Sequence, residues 1–254
     1  MFFDADVTDD GFLGGRLQIL QPRVGYRAAT DPVFLAAAVP ALPGQTVLEL
    51  GCGAGVASLC LAARVSELRV VGVEVQPSYA DLARRNAVRN SIDIEVFEAD
   101  LAAMPPNLRA RNFDHVIANP PYYPAGDGTA AEDAGREMAL REATPLAVWI
   151  DVATRRLKPG GRLTVIHLAE RLPELLAACD DRLGSIRILP LAPRIGRPAN
   201  RVILSAAKGA RGPFQLLSPL VLHEGAAHDG DRDSLCPEVQ AILRDGAMLE
   251  WRAR

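Results

Sequence analysis

Aromatic side chains make up only 5% of the 254 residues, and there are four cysteines. The first scarcity means that the core has to be built from aliphatic side chains packed between helices and sheet. Cys52, Cys60, Cys179 and Cys236 include no C-x-x-C pair, which argues against a zinc site or a disulfide framework; no metal is expected, and a reducing cytoplasm is the expected setting. No segment approaches the length of a membrane span. The first residues, Met1-Phe2-Phe3-Asp4-Ala5-Asp6, lack the basic and apolar regions of a secretion signal. A soluble protein without a membrane partner is expected. A large excess of either charge is also lacking, since the net value is −3 at pH 7, which by itself speaks mildly against a polyanionic partner.

The distribution of charge says more than its sum. With 49% hydrophobic and 23% charged residues the composition is that of an ordinary globular chain, long enough for one good α/β core. Yet from Arg182 through His223 there is no Asp or Glu, while Arg182, Arg187, Arg194, Arg197, Arg201, Lys208 and Arg211 all fall there. A shorter acid-free stretch, Gly11 to Thr30, holds Arg16, Arg23 and Arg27. Either these are solvated loops, or the fold gathers them into a positive face on an acidic body. The second reading makes Arg16, Arg23, Arg194, Arg197 and Arg201 candidate RNA contacts.

Apolar runs and breakers alternate in a regular order. Thr46 to Leu50 reads as a buried strand, followed by a glycine turn and a helical run from Ala54 to about Arg64. Leu68 to Val75, Ile92 to Phe97, Phe113 to Ala118 and Arg162 to His167 read as further strands. Helices are expected from Pro77 to about Asn90 and from about Pro145 to Leu157, the latter stopped by Lys158-Pro159-Gly160-Gly161. This alternation predicts a doubly wound, seven-stranded, mostly parallel sheet, with ligands at the carboxyl ends of its strands. After a helix over about Arg171 to Asp180, Ser185 to Leu189 and Arg201 to Ala207 predict an antiparallel strand pair joined by a loop from Pro190 to Pro198. Before the core, Gly15 to Gln21 suggests one strand of a short hairpin, and Asp31-Pro32 suggests the N-cap and first turn of a helix over Val33 to Val39. The expected division is an N-terminal hairpin and helix over 1–40, a main domain over 41–225, and a partly mobile tail over 226–254. In the tail, 226–233 is expected to be mobile and a short helix follows Pro237.

Asn119-Pro120-Pro121-Tyr122, directly after the strand Phe113 to Ala118, has the parts needed to methylate a planar amine. The exocyclic nitrogen of adenine, like an amide nitrogen, shares its lone pair with a π system and is a poor nucleophile. Two acceptors aimed at its N–H protons, the Asn119 side-chain oxygen and the Pro120 carbonyl, would favour the more tetrahedral nitrogen of the transition state. Proline fixes the turn and brings no competing N–H, and Tyr122 would stack on the base. Catalytic candidates are therefore Asn119, Pro120, Pro121 and Tyr122, with Asn119 also bordering the cofactor. The bland alternative is a Pro-Pro turn that ends a strand. His115 and His167 read as packing or strand-end residues, so no strong general base is evident.

Glu49-Leu50-Gly51-Cys52-Gly53-Ala54-Gly55 lies between the first core strand and its helix, and Glu74 ends the second strand, where it could accept from both ribose hydroxyls. Those facts also describe a nicotinamide-binding domain. Glu49, however, would repel pyrophosphate and attract an ammonium. Asp100, at the end of the third strand, could accept from an adenine amino group beside the Leu101 amide. S-adenosylmethionine has an ammonium, a ribose and an adenine, and no phosphate. The candidate cofactor contacts are thus Glu49, Gly51, Cys52, Gly53, Gly55, Glu74, Asp100, Leu101 and Asn119.

On these motifs the chain resembles the class I S-adenosylmethionine-dependent methyltransferases, and its N-P-P-Y turn resembles their amino-methylating branch. Gly14-Gly15-Arg16 and the run from Gln21 to Asp31 resemble more closely the bacterial family that methylates N6 of an adenine beside the anticodon of a valine tRNA, as does Arg194-Ile195-Gly196-Arg197. The resemblance, over about residues 10 to 225, implies S-adenosylmethionine as cofactor and RNA, most simply tRNA, as partner. It further implies that the segment from Tyr26 to Asp31 closes over the cofactor, which adds Arg27 and Thr30 as contacts. Three alternatives stay open. Glutamine methylation of a protein such as a release factor uses the same turn, although about forty residues before the core are few for that family's helical domain. Methylation of guanine N2 in ribosomal RNA is chemically possible. A non-catalytic RNA-binding protein on the same fold is the alternative of another class, against which stand the intact glycine turn, Glu74 and Asn119.

Overall fold

The computed structural model describes residues 1–124, 141–142, 144–225 and 234–251. A hairpin comes first, β1 (Val7–Phe12) and β2 (Leu17–Pro22), paired antiparallel with Val7 opposite Pro22 and Phe12 opposite Leu17. Helix α1 (Asp31–Ala38) follows. Then β3 (Thr46–Leu50), α2 (Val56–Arg64), β4 (Arg69–Glu74), α3 (Pro77–Arg89), β5 (Ile94–Glu98), the short α4 (Pro106–Arg109) and β6 (Phe113–Ala118) alternate as the apolar runs and breakers predict. Beyond β6, two-residue strands β7 (Tyr123–Pro124) and β8 (Arg141–Glu142) pair in parallel. The second half contains α5 (Leu146–Arg156), β9 (Leu157–Leu168), α6 (Leu172–Ala178), β10 (Leu183–Ala192), β11 (Arg201–Lys208), β12 (Gln215–Leu216), β13 (Leu220–Val221) and α7 (Pro237–Asp245).

Apart from the β1-β2 and β7-β8 pairs, the strands form one sheet in the order β12-β10-β11-β9-β6-β3-β4-β5, with β13 also on β10. Strands β3 to β6 and β9 run parallel, β11 runs antiparallel to them, and β10, antiparallel to β11, resumes the direction of β9. Seven long strands are present as expected, and β12 and β13 extend the sheet beyond them to nine. From β3 the chain winds outward through β4 to β5, then crosses to β6 and winds the other way. The switch point of the sheet therefore lies between β3 and β6, where a crevice opens at the carboxyl ends.

Alternation along these strands assigns each side chain to a layer. Val47 and Ile117 pack on the side of α1, α2 and α3, whereas Leu48, Leu50, Val116 and Ala118 pack on the side of α5. Glu49 thus shares the α2 face with Val47, a parity that matters below. The hairpin is fastened to that face by two amides of α3: Asn86 and Asn90 each accept from and donate to the backbone of β2, at Leu20 and Gln18 respectively. At the other end of the chain α7 sends Val239 and Ile242 into the same core. Trp251 Nε1 donates to the Ala38 carbonyl at 2.8 Å and Leu249 N to that of Ala37 at 2.9 Å, clamping the end of α1.

Three expectations change. Thr30, not Asp31, is the N-cap of α1; Asp31 is the first helical residue and its carboxylate turns away to other partners. Lys158 to Gly161 do stop the helix, but they form a bulge inside β9 and not a turn before it: Phe113 faces Leu157, His115 faces Arg162, and the residues between loop out. Gly161 is needed there because a Cβ would fall 3.0 Å from two carbonyl oxygens of β6. Finally β10 runs through Pro190 to Ala192. It pairs with β12 only at Arg187 and Ile188 and with β13 only at Leu191 and Ala192, so Pro190 sits in the gap where no N–H is required on that side. The stretch 226–233, expected to be mobile, lies outside the described residues, while the helix after Pro237 is α7.

Candidate active site

At the switch point, a cavity of about 330 Å³ is bounded by the glycine turn, the ends of β4 and β5, the turn after β6 and the segment before α1. The glycine turn is forced by close packing. Gly51 has φ +64°, and a Cβ on it would lie 2.6 Å from the Trp149 ring of α5. Gly55, at φ +83°, caps α2 in a left-handed conformation that other residues adopt only at a cost. The buried Cys52 lies between them with its thiol against Gly72 of β4, which has no room for a side chain.

Three acids from three successive strand ends surround the cavity. Glu49 is fully enclosed on the α2 face, where one oxygen accepts from the Ser58 N–H at 3.0 Å and from the Ser58 hydroxyl. Burial pushes its pKa up to about 8, partly offset by those Ser58 bonds. Burial thus disfavours its charged form, and a cation such as the ammonium of the expected cofactor would favour it. Glu74 accepts from Gly53 N at 2.8 Å with one oxygen and from Gln76 N at 2.9 Å with the other, and burial raises its pKa. Each oxygen keeps a second lone pair for hydroxyl donors. Asp100 is exposed at the rim and accepts from Ala102 N at 2.8 Å, which sets the turn containing the buried Leu101.

Among the described lining residues there is no Lys, Arg or His. A phosphate would find no countercharge, whereas an ammonium and a pair of ribose hydroxyls find acids. The residues present therefore fit S-adenosylmethionine better than a dinucleotide. No group of three or more His, Cys, Asp or Glu among the described residues is placed to hold a metal ion.

The turn after β6 carries the opposite feature, an acceptor with nothing to accept. Asn119 Oδ1 is buried and has no hydrogen-bond partner among the described residues. The next carbonyls are engaged: that of Pro121 with His167 Nε2 at 3.1 Å, that of Tyr122 with Arg171 Nη1 at 3.0 Å. Leu168 N donates to His167 Nδ1 at 2.8 Å, so the proton of the neutral ring sits on Nε2 and is donated to Pro121. Burial, with Arg171 next, lowers the His167 pKa to about 4. His167 is thus more than a packing residue, because it holds the turn. The Tyr122 hydroxyl donates to Asp31, the Arg201 guanidinium lies 4.7 Å from the Tyr122 ring centre, and Arg201 Nε donates to the same Asp31 oxygen at 2.8 Å.

Not every sequence candidate comes to the cavity. Arg27 instead ties the hairpin together through Asp10, Thr8 and the Pro22 carbonyl, and Thr30 uses its carbonyl to start α1. Their neighbours Tyr26 and Ala28 line the cavity in their place. Tyr26 is fixed by exchange of two backbone hydrogen bonds with the Tyr79 hydroxyl, and Ala28 by two with the Gln21 amide. Alternation around Tyr26-Arg27-Ala28 is the signal that separates lining from outward residues. Arg16 reaches the Asp245 and Ala63 carbonyls, at the end of α2 remote from the glycine turn. Arg194 is spent on the Glu224 and Gly225 carbonyls and Ser234, and Arg23 binds the Ala5 carbonyl through Nε. Arg197 is exposed in the loop after β10, which meets the end of β9 where Ala169 N donates to Asn200 O. Trp149 of α5 also lines the cavity, packed on Gly51 and donating through Nε1 to the Thr144 carbonyl, a place that no local sequence pattern signals.

The buried acid gives a pH signature. Glu49 holds a proton in the folded protein up to about pH 8 but loses it near its ordinary value when unfolded, so the folded state binds more protons across that window. Its contribution to stability is complete below about pH 4.5 and is lost as pH rises toward 8. His115 and His167, both lowered to about 4 by burial, act in the other sense, losing stability as pH falls from about 6.5 toward 4. In urea titrations Glu49→Gln gains on the native protein between pH 6 and 8, by at most about 1.4 kcal/mol per pH unit. A constant gap between the two midpoints over that range sinks the assignment.

Residues 30–178 match the family described as Methyltransferase small domain. A tRNA1(Val) (adenine(37)-N6)-methyltransferase of Porphyromonas gingivalis is 33% identical over 189 residues, covering 70% of this chain and 73% of its own. The protein of the same name from Dickeya chrysanthemi is 28% identical over 240 residues, 92% of this chain and 93% of its own. Among solved structures, a predicted O-methyltransferase from Agrobacterium tumefaciens superposes with a TM-score of 0.69 at 29% identity, over 86% of this chain and 98% of that one.

Proposed function

We propose, from the premise that this chain belongs to the Methyltransferase small domain family of S-adenosylmethionine-dependent class I enzymes, that its acceptor is N6 of an adenine in RNA, in tRNA next to the anticodon. The observation that carries the reading is the buried Asn119 Oδ1 at the end of β6, unpartnered among the described residues. A buried carbonyl without a donor costs about 1–3 kcal/mol, which is recovered only when an N–H arrives. The names of the relatives supply the preference for tRNA adenine.

When bound, S-adenosylmethionine supplies an electrophilic methyl group. Glu49 would face its ammonium, Glu74 its ribose hydroxyls, and Asp100 with the Leu101 amide its adenine. On the acceptor side Asn119 Oδ1 and the Pro120 carbonyl accept hydrogen bonds from the two N–H groups of the amine, drawing its lone pair out of conjugation as it attacks. His167 and Arg171 keep the neighbouring carbonyls of Pro121 and Tyr122 occupied, so the turn presents its acceptors in one arrangement. Tyr122 offers a stacking surface to a base swung out of its strand. The proton of the methylated amine then leaves to solvent. Arg197, exposed beside the end of β9, is free of the burial that would keep it from an RNA backbone and is the proposed contact there.

The test is incubation of the full chain with methyl-labelled S-adenosylmethionine and either total RNA or total protein. The expected product, after digestion of tRNA to nucleosides, is labelled N6-methyladenosine. Label on a protein glutamine or on guanine N2 overturns the adenine reading, and label in rRNA alone overturns the tRNA one.

A further inference from the structure

Asp31 is the place where three parts of the fold meet, and no step of the methyl transfer described above uses it. A single oxygen, Oδ2, accepts from the Tyr122 hydroxyl of the turn after β6 and from Arg201 Nε at the start of β11, 2.8 Å away. The Arg201 guanidinium also lies over the Tyr122 ring at 4.7 Å, and His167 meets the ring at 5.7 Å in an edge contact. Tyr122 is part of the cavity wall, but Asp31, Arg201 and His167 are not. The cation therefore covers one face of a ring that belongs to the cavity wall.

We propose that Asp31 is a positioning residue for substrate: it locks the Tyr122 ring against Arg201 so that a flat, electron-rich face is presented to the entering base. The inference rests on the reading of Tyr122 as a stacking surface. A carboxylate suits this task better than a neutral acceptor, since both of its bonds here are charge-assisted or shared with a phenol, and both are stronger for it. A phenol that donates to a carboxylate carries more electron density in its ring, and this strengthens the attraction for the guanidinium behind it. With its hydroxyl, edge, one face and carbonyl all held, the side chain has little freedom left to lose when a base stacks on it. Arg201, read from the sequence as an RNA contact, is reassigned as part of this support.

The experiment is a double-mutant cycle on the full chain, with kcat/KM for tRNA and the dissociation constant of S-adenosylhomocysteine as readouts. Removing a stacking ring costs about 5- to 150-fold, so Tyr122→Ala sets the ceiling. Asp31→Ala is expected to lower kcat/KM about tenfold in the native background and less than twofold in the Tyr122→Ala background, with S-adenosylhomocysteine affinity changed less than twofold in both. Asp31→Asn, which keeps size and an acceptor, is expected to fall between. Equal effects of Asp31→Ala in the two backgrounds, or an equal loss of S-adenosylhomocysteine affinity, overturn the inference. A native protein that methylates no RNA overturns the proposed function instead. The inference is then judged by a crystal structure of Asp31→Ala, in which a Tyr122 ring unmoved from its native place refutes it.

Discussion

Asn119→Ala lowers turnover with tRNA by a factor on the order of 100–1000 while S-adenosylhomocysteine binds within about twofold of the native affinity. The magnitude is that of losing one acceptor aimed at charge that develops only in the transition state. The direction of the stability change makes the test sharper. Asn119 Oδ1 is buried with no partner among the described residues, so its removal is expected to relieve a penalty and not to break a bond. The melting temperature is therefore expected to stay level or to rise, which separates a catalytic loss from a folding defect. Asn119→Asp restores an acceptor but introduces a charge in a buried place, so it recovers only part of the rate. Turnover within threefold of native for the alanine variant returns the turn to the role of a strand ending.

Glu74→Ala raises the dissociation constant of S-adenosylhomocysteine by about 100-fold, close to 2.8 kcal/mol. This carboxylate does two things at once. It receives Gly53 N and Gln76 N, joining the glycine turn to the end of β4, and it lines the cavity with its remaining lone pairs. Its loss leaves two amides short of an acceptor and removes the charged partner of the ribose hydroxyls, at about 1.5–3 kcal/mol for each bond to a charged group. Glu74→Gln keeps one acceptor oxygen and is expected to lose about tenfold. At saturating cofactor the turnover of both variants stays within a few-fold of native, because neither touches the amine. Calorimetry giving less than a threefold change for the alanine variant removes Glu74 from the cofactor site.

The parallel core was legible in the sequence because each of its strands is a short aliphatic run closed by glycine, proline or an acid, and β3 to β6 fall within two residues of where those runs place them. The acids at the strand ends were legible for the same reason: position along a parallel strand fixes which end of the sheet a residue occupies. What could not be read was partner choice among polar side chains. Asp31 before Pro32 has the local signature of a helix cap, yet a tyrosine and an arginine remote in sequence compete for its carboxylate and win. Arginine clustering misled in the same way. Arg16 and Arg194 are drawn to backbone carbonyls of the chain itself, a use that composition does not distinguish from binding a polyanion. The edge of the sheet was missed because β12 and β13 are two residues each, too short to show a period.

The clamp on α1 bears on when the site becomes complete during synthesis. Trp251 holds the Ala38 carbonyl from 213 positions further along the chain, and α1 begins with Asp31. At ordinary translation speeds of ~5–20 residues per second, α1 waits about 10–40 s for that fastening after it leaves the ribosome. Through that interval the glycine turn and the acids of β3 and β4 can already assemble, whereas β11 with Arg201 is still to come. A nascent chain would thus acquire its cofactor pocket before its base platform, with methyl donor loaded ahead of any competence to use it.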